Sequence, residues 1–136
     1  MIETLRRNIL SATVVSGMNS ATTVAYPKGL GNYRHIALSL IADSVTAGFT
    51  VKIKASRQSE APDFTTAVSP TNSWFYVQTV NNDAGNFVAG STGYTIAADG
   101  DTDIELNQDV ILWLAIEISS YTDGNLTVLL TAVNNN

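Results

Sequence analysis

The chain has no cysteine and one histidine, and only 14% of its 136 residues are charged. Without cysteine, neither a disulfide framework nor a thiolate metal site can form. With His35 as the sole imidazole, a Cys–His nucleophile pair is excluded, and a Ser-His-Asp triad would rest on that one residue. There is no Gly-x-Ser-x-Gly elbow to carry such a triad. Basic residues are scarce too: seven Lys and Arg against twelve Asp and Glu give a formal net charge of -5. Without a basic stripe to neutralise phosphates, nucleic acid is not an expected partner. The longest apolar run, Val110 to Ile116, is too short to cross a bilayer, so no membrane partner is expected. The first ten residues lack the apolar core of a signal peptide, and a protein made in a cytoplasm that stays soluble is expected.

What the sequence does contain is alternation. In Phe49-Thr-Val-Lys-Ile-Lys-Ala-Ser56, apolar and polar residues change places at every step, the pattern of a strand with one face on a core and one in water. Similar stretches recur between breaks rich in Gly, Asn and Asp: Ala12–Ser16, Ala21–Tyr26, Tyr33–Ala42, Ser73–Val80, Asp101–Leu106, Val110–Ser119 and Leu126–Val133. Shorter candidates fall at Phe64–Val68, Phe87–Val88 and Tyr94–Ala98. The expected fold is therefore all-β, one antiparallel sandwich or barrel domain of about eight strands over residues 11–136. Residues 1–10 read as an N-terminal arm or short helix, with Ile2, Leu5 and Ile9 near one face.

Two strands carry more specific expectations. Along Val110–Ser119, Val110, Leu112, Leu114, Ile116 and Ile118 read as one face, while Ile111, Trp113 and Ala115 make the opposite face apolar as well. An outer strand should offer water a polar face. Either the long excursions at 57–72 and 81–100 cover Ile111 and Trp113, or another subunit does. In Ser73–Val80, Trp74, Tyr76 and Gln78 read as one face and Phe75, Val77 and Thr79 as the other. Trp74, Tyr76 and Trp113 together could offer a stacking platform for sugar rings, or anchor a core or an interface.

The sharpest acidic pattern is Asp99-Gly-Asp-Thr-Asp-Ile-Glu105. Alternate acids resemble the start of a calcium loop, but the glycine falls at the second position and no glutamate at the twelfth. The simpler reading makes Asp101, Asp103 and Glu105 the wet face of a strand whose inner face is Thr102, Ile104 and Leu106. Gly90-Ser-Thr-Gly93 lacks the lysine of a phosphate-binding loop and reads as a turn. No catalytic residue, metal site or cofactor is assigned, and an enzyme is not expected. The scarcity of charge, with Thr, Ser and Asn in its place, suits a surface given over to partners.

As a whole, a short, acidic, charge-poor and Thr/Asn/Ser-rich chain with an N-terminal arm resembles the small virion structural proteins of tailed bacteriophages. Gly48–Ser56 and Asp109–Ile118 are the segments most in that style. Within that class the resemblance is strongest to capsid decoration (cement) proteins. It implies a β-sandwich or jelly-roll domain, location in the virion, the major capsid protein as partner, and further copies of itself, as a homotrimer. The expected interface residues are Ile2, Leu5, Ile9, Trp74, Tyr76, Ile111 and Trp113. The alternative is a glycan- or receptor-binding module of a phage tail, or another tail or baseplate component.

Overall fold

The computed structural model describes residues 7–108 and 110–135. Eleven strands form two antiparallel sheets: β1 (Arg7–Met18), β2 (Thr23–Ala25), β3 (His35–Asp43), β4 (Phe49–Ser56), β5 (Phe75–Tyr76), β6 (Thr79–Asn81), β7 (Asn86–Val88), β8 (Tyr94–Ile96), β9 (Gly100–Leu106), β10 (Trp113–Ser119) and β11 (Asn125–Asn135). The larger sheet has the order β1-β11-β3-β9-β6-β7, and the smaller has β2-β10-β4-β5, with β8 also paired to β4. Setting aside β5, β6 and β7, the remaining strands alternate between sheets as β1-β11-β3-β9 over β2-β10-β4-β8. That is the double Greek key of a jelly roll.

The core lies between the sheets and is supplied by the alternation seen in the sequence. Leu38, Leu40, Ile104, Val128 and Leu130 point inward from the larger sheet, and Val51, Ile53, Leu114, Ile116 and Ile118 from the smaller; all are essentially buried. Each such side chain contributes about 1.5–3 kcal/mol by leaving water. Acidic Asp101, Asp103 and Glu105 stay in solvent while Ile104 and Leu106 are buried, as the period of two requires.

Four expectations are corrected. β1 already runs from Arg7, so Arg7–Leu10 are strand and Ile9 sits within it, while Ile2 and Leu5 lie outside the described residues. Ser73–Val80 is two strands: Phe75–Tyr76 pairs with β4 in the smaller sheet and Thr79–Asn81 with β9 in the larger. The alternation runs unbroken across this corner because both sheets face the same core, with Val77 and Thr79 both buried. Phe64–Val68 is a turn, in which Asp63 Oδ1 accepts the Thr65 N–H at 2.9 Å. Finally, the strand expected at Val110–Ser119 starts at Trp113, and Val110 is 54% exposed instead of facing inward.

Candidate functional site

The irregular backbone before β10 separates the two residues on which the apolar second face depended. Ile111 belongs to the main core and is buried. Three positions later Leu114 is again inward, so the period of two is broken at Leu112. Trp113 lies on the other side of the sheet, paired with Ser56, half-buried, and donates its Nε1–H to the Gln58 carbonyl at 3.0 Å.

That outer side of the smaller sheet is covered by the chain itself. The 57–74 excursion folds over it and is held from below by Lys54, which is 4% exposed. The Lys54 ammonium donates to the Phe64 carbonyl at 2.9 Å and lies 2.9 Å from Glu117 Oε2. It also sits 4.3 Å from the centre of the Trp74 ring, within range of a cation–π attraction. Tyr76 donates its hydroxyl to Glu117 Oε1 at 3.0 Å. Burial, and after it the hydrogen bond and charge of Glu117, raise the Tyr76 phenol above its ordinary range. Phe64 and Ala115 are buried here, outside the main core cluster. Ile111 and Trp113 thus do not form one apolar face: Ile111 faces the main core, and Trp113 meets the 57–74 excursion at the Gln58 carbonyl.

Trp74 and Tyr76 do come together, but edge to face, with ring centres 5.4 Å apart and planes at 88°. Trp74 donates its Nε1–H to the Thr66 carbonyl at 2.8 Å, and both rings are half-buried. They share no plane on which a sugar ring could lie, and Trp113 is engaged elsewhere.

The outer side of the larger sheet is different. One rung runs through all six strands as Ser11, Thr131, Ala37, Glu105, Val80 and Phe87, with one charge among them. A parallel rung brings Thr13, Leu129, Ser39 and Asp103 together, and Ser39 donates its hydroxyl to Asp103 Oδ1 at 2.9 Å. Phe87 and Ile9 are each 63% exposed and Leu129 is 40% exposed on this face. Among the described residues nothing folds over it. Among the residues whose side chains are described, the strand-borne charges of this face lie on β9 and at the ends of β3. Exposed apolar groups between hydroxyls and methyls, with few charges, are the composition of a contact surface.

His35 lies at the end of this face, exposed, beside a shallow cleft of about 260 Å³ lined also by Ala37, Glu105, Thr131 and Val133. Of the acidic pattern, Asp99 accepts the Val45 N–H at 2.8 Å and so braces a turn. Burial first, then the neighbouring charge of Asp103, raises the Asp101 carboxyl above its usual range. Among the described residues, no group of three or more His, Asp or Glu is placed to hold a metal ion.

Fold and surface together define a jelly-roll domain with one self-covered sheet and one bare, charge-poor sheet. The same fold occurs in the SPBc2 prophage-derived protein YomS, whose crystal structure superposes with a TM-score of 0.68 at 12% sequence identity. The match covers 98% of this chain and 99% of that one, so the likeness is of whole domains. No protein-family model and no curated protein matches the chain.

The bare face was not legible as such in the sequence. Ile9 is the one expected interface residue among those described that lies on it. Phe87 and Leu129 each looked like an ordinary member of a strand, and only the pairing of β6 with β7 and β9 sets Phe87 in line with Ala37.

Proposed function

We propose that this protein is a non-enzymatic structural component of a phage virion, a capsid decoration (cement) protein that binds the outer shell. The observation that carries the reading is the bare outer face of the six-stranded sheet, with Ile9, Phe87 and Leu129 exposed amid hydroxyls. Shared fold with a prophage-derived protein over the whole chain supports a phage setting. Such a face suits many weak contacts repeated by symmetry, which give strong total binding without a deep pocket. Few charges means little desolvation cost when it is covered.

The test is electron cryomicroscopy of purified virions from the phage carrying the gene, followed by rebinding of purified protein to stripped capsids. Density for the jelly roll at symmetric positions on the shell, with the larger sheet turned inward, is expected. Leu129→Lys and Phe87→Lys should abolish rebinding without lowering the melting temperature. Density on the tail, or unchanged rebinding by both variants, overturns the reading.

A further inference from the structure

The two sheets end in strands of very unequal length. β2, β7 and β8 have three residues each and β5 has two, whereas β1 has twelve. An open strand edge is a template for another strand, and proteins blunt such edges by shortness, charge, proline or bulges. β2, β5, β7 and β8 are blunted by shortness. β1 carries neither charge nor proline from Asn8 to Met18. Its irregularities begin only after Thr13, where the second contains Gly17 at φ 64°, so Arg7–Thr13 keeps a regular register with Asn135–Leu129. On the side away from β11, this run meets no backbone partner among the described residues.

We infer that the Arg7–Thr13 edge is a self-recognition site, at which a second copy of this chain adds its own β1 antiparallel about a two-fold axis. Self-pairing makes the same patch serve both partners, as closed two-fold assembly requires. Pairing about Leu10 sets Ile9 of one copy across from Ser11 of the other and joins the two larger sheets into one.

Charge selects a second copy as the occupant. With a net charge of -5, two copies repel wherever their acids meet. No charged residue occurs from Asn8 through Pro27 or from Gly124 through Asn136, so Arg7, at the very start of β1, is the one charged residue on the margin formed by β1 and its neighbour β11. The acids of β9 lie inward of β11 and β3. At about 4.8 Å per strand, the two β9 strands of such a pair stand about 33 Å apart, several screening lengths at physiological salt. Pairing about Leu10 sets each Arg7 across from Thr13 of the other copy, about 20 Å along the strands from the second Arg7. The seam therefore brings main-chain groups together without bringing like charges together. This inference stands on the edge and its charge, and does not depend on what the outer face binds.

Sedimentation velocity on the purified chain alone, from micromolar to near-millimolar concentration, tests it. The natural protein should pass from monomer to dimer as concentration rises. Ser11→Lys and Thr13→Lys place charge beside the seam at exposed positions, and each should weaken association about tenfold or more while leaving the melting temperature unchanged. Thr95→Lys, exposed on the short β8, should associate like the natural protein. A chain that stays monomeric throughout, or lysine variants at 11 and 13 that dimerise normally, overturns the proposal. Because no capsid is present, failure here is distinct from failure to bind a shell.

Discussion

Lys54 and Glu117 form an ion pair of 2.9 Å on the outer side of the smaller sheet, with side chains 5% and 18% exposed. Lys54 belongs to a face that the sequence marks as polar and Glu117 to one that it marks as apolar, and the pair is closed off by Trp74 and the excursion carrying Phe64. The lysine satisfies three different kinds of group at once: a carboxylate, a carbonyl and an aromatic face. This makes it the fastener between sheet and excursion.

Removing one half of the pair strands the other in a poorly hydrated place. Lys54→Met should destabilise the protein by about 2–3 kcal/mol, somewhat below the cost for fully buried pairs because Glu117 keeps some water and the Tyr76 hydroxyl. Adding Glu117→Leu should recover at least about 1 kcal/mol of that loss. Urea denaturation of the two single variants and the double variant measures the coupling. Simple additivity would show that the pair is not a unit.

Phe64 anchors the excursion but stands outside the main core, so its loss should open the excursion before it unfolds the sandwich. Limited trypsin digestion of Phe64→Ala should show faster cleavage after exposed Arg57 than in the natural protein. Ile111→Ala, which leaves a hole between the sheets, should cost about 2–5 kcal/mol and lower the global urea midpoint more. Equal cleavage rates in the natural protein and Phe64→Ala would contradict this division.

Gly48 opens β4 at φ 93°, and a Cβ there would be driven into the Ile96 carbonyl of the neighbouring β8. Gly48→Ala should therefore destabilise by at least about 2 kcal/mol, because both the backbone and the pairing partner must move. Gly17 has a positive φ of 64° but open space around it, and Gly17→Ala should cost only about 1 kcal/mol. Thermal melts of the two variants give the comparison.

Two aspartates make stability fall in acid. Hydrogen bonds from the Thr65 and Thr66 side chains and the Thr65 N–H lower the Asp63 carboxyl to about 2 from the usual 3.8. The N–H groups of Thr46, Ala47 and Gly48 all donate to Asp123, tying the β3–β4 turn to the β10–β11 turn and lowering that carboxyl as well. A carboxyl with a depressed native pKa binds its proton more readily in the unfolded chain. Its contribution is present above the ordinary aspartate value and is lost as pH falls through the native one. Stability should drop between about pH 4 and pH 2, and Asp123→Asn should make that drop shallower. Urea midpoints across this range decide it. An unchanged pH profile in Asp123→Asn would show that the turn bonds do not favour the ionised form.

Much of the fold was written in short-range pattern. β4 spans Phe49–Ser56 as the alternation required, β3 buries Ile36, Leu38 and Leu40, and β9 keeps its acids in water. These succeed because a strand with one buried face must repeat every two residues, a property local to the chain. Where the alternation misled, the cause was non-local. Ser73–Val80 keeps its period while changing sheets, and Ile111 and Trp113 look like one face until the irregular backbone at Leu112 parts them.

By itself, the sequence determined the all-β class, the strand-level division into inward and outward residues, and the lack of charge from Asn8 through Pro27. Which outer face is bare was decided by tertiary structure, because covering depends on where the 57–74 excursion lands, and Lys54 draws it onto the smaller sheet. Which edge is open was likewise a matter of strand order: β1 is exposed because β11 pairs it on one side only. Period and composition act over a few residues, whereas covering and edge position arise from contacts between segments far apart in the chain.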